Sequence, residues 1–307
     1  MDKLPRVSVL MPVYNAGRYV RATVESLLAQ TFADFELIAI DDGSKDDSAA
    51  VVREMAATDA RIRFTSRENR GVVRTRNELA DLARGEFMAV NDADDLSMPD
   101  RLAKQVAYLD AHPECVMVGS RVMVMDPYSS PVAESAHKLG HEEIDAELLA
   151  GSGWALVQSA VMMRSEAVRK IGGYRGAEHN LSEDHDIFIR LAEVGRIANL
   201  PEPLVWYRRH ATSLTHTLYQ STKSRHEAVK RQIIEEAYQR RGRSMPADWA
   251  FETWRPSPRD EQLRTWGWAA IKHKNIPVAR KHAVAAVKAA PLSGASWKLL
   301  YCALRGR

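Results

Sequence analysis

The first part of the chain alternates short apolar runs with amphipathic stretches. Residues 6–13 (RVSVLMPV) are apolar and rich in valine, which predicts a buried strand. Asn15 and Gly17 break the run, and Val20, Val24, Leu27 and Leu28 then recur at helical spacing. A second strand is predicted over 35–40 (FELIAI), closed by the turn formers Asp41, Asp42, Gly43 and Ser44. The pattern continues with a helix over 48–57, a strand over 62–65, a helix over 71–83 ended by Gly85, and a strand over 87–90. Such alternation with short links predicts an α/β fold, a sheet with helices on both faces.

Past residue 90 the signals thin. Ser97 is expected to cap a helix with Pro99 in its first turn and Leu102, Val106 and Leu109 on one face. Strands are predicted over 116–119 and 159–163, and the connection over 125–154 carries few signals. A helix over 184–194 turns Ile187, Leu191 and Val194 inward and stops at Gly195, and a last strand covers 204–209. From about residue 222 the chain reads as helical, with Pro277 opening one helix, Pro291 ending it and another over 297–304. The expected division is an α/β domain over 1–217 and a helical region over 218–307.

Composition narrows the class. Of 307 residues, 45% are hydrophobic and 27% charged, a globular balance that argues against disorder. The start, MDKLPRVSVLMPVYN, runs directly into the first strand, so no leader is expected. The longest uncharged run, 148–163, contains Gly151, Ser152, Gly153 and Gln158, so no spanning helix is expected either. Cys115 and Cys302 lie far apart without disulfide or metal spacing, which fits a reducing cytoplasm. After Glu261 there is no acid, while nine cations from Arg264 to Arg307 follow, so an acidic body carries a strongly basic tail.

The candidate chemistry sits where predicted strands end. In such sheets ligands bind beyond the carboxyl ends of the strands, and Tyr14, Asp42 and Asp92–Asp95 all fall there. Three acids so close together, Asp92, Asp94 and Asp95, repel one another unless a cation joins them; a solvated acidic turn is the other reading. Asp42 is either a tight-turn residue or an acceptor for a base N–H. Arg74, Arg76 and Asn77 lie on the helix leading to the acidic strand, facing either phosphate and ribose or solvent. Asp184 is either a plain helix cap or a general base at the crevice, and His210 a surface histidine or a metal or phosphate contact.

Taken in order, VSVLMPVYNAGRYVRATVESLLAQTFADFELIAIDDGSKDDS, NRGVVRTRNELADLARGEFMAVNDADD, LSEDHDIFIRLAEVG and WYRRH resemble the inverting family-2 glycosyltransferases of GT-A fold over about residues 5–215. The resemblance implies a Rossmann-like mixed sheet and a hexosyltransferase-type activity in surface polysaccharide synthesis. It implies donor-nucleotide contacts from Pro12, Val13, Tyr14 and Asp42, with Asn69 and Arg76 near the nucleotide. It places Asp92 on the ribose, Asp94 and Asp95 with His210 about a divalent Mn or Mg, and Asp184 as the base. The implied partners are a nucleotide-sugar donor, UDP-linked by preference, and a saccharide or lipid-linked saccharide acceptor, with 125–154 facing the acceptor. Asn91 and Arg74 are less typical of the pattern and take no role from it.

Other readings compete. A nucleotidyltransferase or a dehydrogenase would need a glycine-rich loop after the first strand, and Pro12-Val13-Tyr14-Asn15 supplies none. An inactive carbohydrate-binding or scaffold protein of the same fold would have lost the acids, which are all present. The basic tail, with Trp266, Trp268, Trp297 and Tyr301, is expected either to dock on an anionic membrane surface through 262–307 or to pack as a small helical subdomain. Nucleic acid is not an expected partner, because the body is acidic and no base-reading motif appears.

Overall fold

The computed structural model describes residues 4–175, 182–210, 214–250 and 258–306. It opens with β1 (Val7–Val13), α1 (Val20–Leu28), β2 (Phe35–Asp42), α2 (Ser48–Ala56), β3 (Ile62–Arg67), α3 (Val72–Leu82) and β4 (Phe87–Val90). β1 lies between β2 and β4 and parallel to both, and β3 extends the sheet beyond β2. Successive residues of β1 serve opposite faces. Val7, Val9, Met11 and Val13 join a core with Val24 and Leu27 of α1 and Val52 of α2. Leu10 turns to the other face, with Val73 and Leu79 of α3. Helices therefore cover both faces, and the strand is apolar throughout because neither face meets water.

The sheet then changes direction. β5 (Leu96–Ser97), α4 (Arg101–Ala111), β6 (Cys115–Met125), β7 (Pro131–Glu134), α5 (His141–Leu149), β8 (Met162–Arg164), α6 (Ser165–Lys170), α7 (Glu183–Ala192) and β9 (Arg196–Arg208) follow. The strand order is β3-β2-β1-β4-β8-β6-β9-β5, with β7 paired to β6. β8 is antiparallel to β4 and β6, which makes the sheet mixed. α8 (Leu214–Arg240), α9 (Arg259–Lys272), α10 (Ile276–Ala289) and α11 (Gly294–Arg305) end the chain. No described helix is long and apolar enough to cross a membrane.

Several local expectations change. Ser97 does not cap α4: it pairs with Val205 in β5, its hydroxyl donates to Asn91 at 2.8 Å, and Asp100 holds the cap position. The strand expected over 159–163 shortens to β8 behind a 3-10 turn at Gln158–Ala160. The Gln105 amide explains the shortening, since it donates to Ala160 O at 2.8 Å and occupies a carbonyl that a strand partner would use. The poorly signalled stretch over 125–154 holds β7 and α5. β9 begins at Arg196, well before 204, its first half hidden from the pattern by Pro201 and Pro203.

The chain gathers into two compact units whose composition differs from a single break at 217. The first is Met1–Val122, Ala136–Tyr207 and Thr222–Glu252; the second is Met123–Ser135, Arg208–Ser221 and Thr253–Arg307. The end of α8 belongs to the first because Ile233, Ile234 and Ala237 are buried in its core. In the second, α9, α10 and α11 meet through Ala270, Ala279, Ala283, Leu299 and Ala303, small residues that let the helices approach closely. The β6–β7 hairpin joins them. Its turn residue Asp126 accepts the backbone N–H groups of Tyr128 (2.8 Å) and Ser130 (2.9 Å) and lies 2.9 Å from His282 Nε2 of α10. Two tail cations thus find acids: Lys281 stands 3.8 Å from Asp126, and Arg264 pairs with Asp260 one turn earlier.

Candidate active site

The carboxyl ends of β1 and β2 are tied together by their loops. Asn15, in the left-handed region at φ 50°, donates its N–H to Ser44 Oγ at 2.9 Å and accepts Lys45 N–H at 2.8 Å. Pro12, Val13 and Tyr14 lie along this end of β1; Val13 is buried, whereas the Tyr14 ring is exposed. Asp41 makes the tight turn, accepting Ser44 N–H at 3.3 Å and Ser66 Oγ–H at 2.8 Å. Asp42 reaches the other way and accepts from Arg67 and from the N–H groups of Arg70 (2.8 Å) and Gly71 (3.0 Å). Asn69 returns a bond, its amide donating to Asp42 O at 2.8 Å. Gly43 makes this closeness possible: its φ is +76°, and a Cβ there would stand 2.7 Å from Asn69 N.

The acidic turn after β4 is supported from beneath. Arg101 of α4 is wholly buried, donating to Asn91 Oδ1 at 2.8 Å and Val90 O at 2.7 Å. Burial works against its charge, and the carboxylates of Asp95 and Asp92 oppose that loss. Asp95 is itself buried, its charge falling on Arg101, so it joins the support. Asp92 and Asp94 are the partly exposed pair. Burial raises the pKa of Asp92 against the pull of Arg76, and Asp94 raises it further. Two hard oxygen donors two residues apart, in a site whose burial works against the Asp92 charge, fit a divalent cation. Among the described residues no three His, Cys, Asp or Glu side chains are grouped to hold a metal.

α7 brings the second carboxylate pair to the same place. Its cap position is Ser182, so Asp184 is not the helix cap but sits in the first turn, half-buried, accepting the N–H of His185 at 2.7 Å. Arg76 of α3 donates to Glu183 at 2.7 Å and stands 3.4 Å from Asp92, with the Tyr174 ring 5.7 Å away. Burial opposes the Arg76 charge, but Glu183, Asp92 and Asp184 outweigh it and its pKa is raised. Burial lifts Glu183 to about 7 despite Arg76, with Asp184 adding to the lift. Asp184 also acts on Asp92, so both carboxylate pairs share one field. His210 follows β9 and belongs to the second unit.

Sequence reasoning missed three supports. Arg101 was hidden because a charged residue next to Leu102 looks like a solvent position. Lys230 of α8 is buried, donates to Gly151 O at 2.8 Å and feels the charge of Asp184. Its signal was available: a lysine one turn before Ile233 and Ile234, and two before Ala237, on an apolar face. His185 is buried with its Nε2 on Leu148 O at 2.9 Å; burial and then Lys230 press its pKa down to about 4.

The fold is that of GT-A glycosyltransferases. Staphylococcus aureus TarS 1–349, solved in complex with UDP, aligns with a TM-score of 0.56 at 17% identity over 98% of this chain and 92% of that one. The mannosyltransferase PcManGT of Pyrobaculum calidifontis, solved with GDP-Man and Mn²⁺, aligns with a TM-score of 0.55 at 20% identity over 99% and 81%. The sequence model described as Glycosyl transferase family 2 matches residues 8–172, and the chain belongs to that family. A protein named as a glycosyltransferase, EpsE of Bacillus subtilis (strain 168), is 33% identical over 208 residues, 66% of this chain and 73% of that one. The protein is a glycosyltransferase.

Proposed function

We propose that the protein transfers a sugar from a nucleotide-diphosphate sugar, UDP-linked by preference, to a hydroxyl of a saccharide or lipid-linked saccharide, inverting the anomeric carbon. The setting proposed is surface polysaccharide synthesis at a cytoplasmic membrane face. One observation carries the reading. Asp184, half-exposed on α7, shares its field with Asp92 across the Arg76–Glu183 pair, so a base and a donor-side carboxylate flank one place. The likeness to structures holding UDP and GDP-Man supports a nucleotide donor.

The residues divide the work. The exposed Tyr14 ring and the loops fixed by Asp42 and Asn69 receive the base, and Asp92 accepts from the ribose. Asp184 removes the proton of the acceptor hydroxyl on a carboxylate oxygen. The freed acceptor hydroxyl oxygen, and not the carboxylate, attacks the anomeric carbon from the face opposite the diphosphate, and the breaking C–O bond leaves its electron pair on the diphosphate. A divalent cation held by Asp92 and Asp94 would supply neutralisation of that leaving charge. Arg76 holds Glu183 and Asp92 apart in fixed positions.

Thermal shift with UDP- and GDP-sugars, with Mn²⁺ or with chelator, tests the donor and the metal together. A rise in Tm with a UDP-sugar that depends on Mn²⁺, and is lost in Asp94→Asn, is the expected result. Undiminished transfer in excess chelator would remove the cation from the reaction.

A further inference from the structure

Ten large hydrophobic side chains are exposed among the described residues, and seven of them belong to the second unit. Three of the seven, Trp297 (52% exposed), Tyr301 (56%) and Leu304 (60%), lie on α11 at successive turns. At about 100° per residue they form a stripe roughly 130° around the helix from the inward face of Ser296, Leu299 and Ala303. α11 therefore has two apolar faces, and the packing of α9 and α10 uses one of them. A helix that only packs on its unit has a polar outer face.

The outer stripe is built rather than loose. The Trp297 indole N–H donates to Pro291 O at 2.8 Å, and the Arg305 guanidinium lies 4.8 Å from the Tyr301 ring centre. Lys298 and Arg305 follow along one flank at about 80–100° from Trp297. Exposed Lys272, Lys274 and Lys288 add to the same unit, and no acid follows Glu261. Aromatic rings, a leucine and lysine or arginine flanks are the composition of a surface that lies in a lipid headgroup region. A second copy fits worse, because pairing would bring two cationic flanks together.

We propose that the outer face of α11, Trp297, Tyr301 and Leu304 with Lys298 and Arg305, docks the protein on an anionic phospholipid bilayer. This rests on, and narrows, the membrane setting proposed for the enzyme. The two apolar rings and Leu304 enter the interface while the flanking cations meet lipid phosphates, each worth about five-fold in partitioning.

Flotation of the full chain with vesicles of phosphatidylglycerol mixed into phosphatidylcholine, against phosphatidylcholine alone, tests it. Binding to the anionic vesicles, weakened at high salt, is expected. Trp297→Ser with Tyr301→Ser should cut binding at least ten-fold, and Lys298→Glu with Arg305→Glu should abolish the preference for anionic lipid. Because these side chains are outward, the melting temperature should stay at the parent value. Full binding by the Trp297→Ser, Tyr301→Ser chain would overturn the assignment to α11 and leave the membrane setting standing. No binding by the parent chain would sink both, and a parent dimer that the double variant makes monomeric would assign the face to a second copy.

Discussion

Arg76 serves two carboxylates from one buried guanidinium, and its removal tests how far the site depends on that. Arg76→Met leaves Glu183 and Asp92 without their cation in a poorly hydrated place, a change that typically costs about 3–5 kcal/mol and would lower Tm by about 10 °C. Adding Glu183→Gln should recover part of the loss, since the orphaned charge goes with it; a double variant as unstable as the sum would show the two side chains act separately. Asp184→Asn should keep nucleotide-sugar binding while transfer falls by about a thousand-fold. Lost donor binding would return Asp184 to a structural role. The acid limb of stability carries two opposed slopes. His185, held near 4, binds fewer protons folded than unfolded, so it makes stability fall as pH drops from about 6.5 to 4. Glu183, lifted to about 7, binds more protons folded, so it makes stability rise as pH drops from about 7 to 4.5. Melting curves across that range should therefore flatten at low pH in His185→Gln and steepen in Glu183→Gln. The sequence made Asp42, Asp92, Asp94 and Asp184 legible because each follows a strand end or opens a helix. Arg101 and the pairing of Arg76 with Glu183 were not, because burial of a charge depends on partners far along the chain.

At the scale of elements, the loops at the ends of β1 and β2 hold one another, and Gly43 is where the β2 loop presses on the 67–71 loop. Gly43→Ala must place a methyl 2.7 Å from a backbone nitrogen in a left-handed conformation, a strain of about 1–3 kcal/mol. A lower Tm together with weaker binding of UDP is expected, because the 67–71 loop must move. A lower Tm with unchanged UDP affinity would detach that loop from the donor. The elements themselves were largely readable. Strands buried on both faces, such as β1 and β4, show as pure apolar runs, and α3 and α7 show as clean stripes with glycine nearby. The misread ones, β5, β8 and the front of β9, are held by side-chain bonds to Asn91 and Gln105 or carry prolines, and these leave no periodicity.

For the whole molecule, pattern alone foresaw an α/β sheet followed by helices but put the division at one point in sequence. The structure interleaves the units, and within the second the hairpin residue Asp126 meets His282 of α10, both shut off from water. A chain ending after Asp260 would lose His282 and the helices packed with the hairpin, leaving Asp126 in water with only its turn N–H groups as partners. Such a chain should lose protection of the 123–135 hairpin in amide exchange while the first unit keeps its own, and a hairpin equally protected in both chains would deny the tail this part.

That pair also sets a timetable. During synthesis Asp126 leaves the ribosome about 150 residues ahead of His282, a wait of roughly ten to thirty seconds at ordinary elongation rates. Throughout it the hairpin has a charge designed for burial and nothing to bury it. The first unit can meanwhile close around its own residues up to 252, so the proposed donor site would form before the last helices exist. If α11 is what meets lipid, the enzyme is assembled first and addressed afterwards, and a chain that stalls late would be competent but adrift.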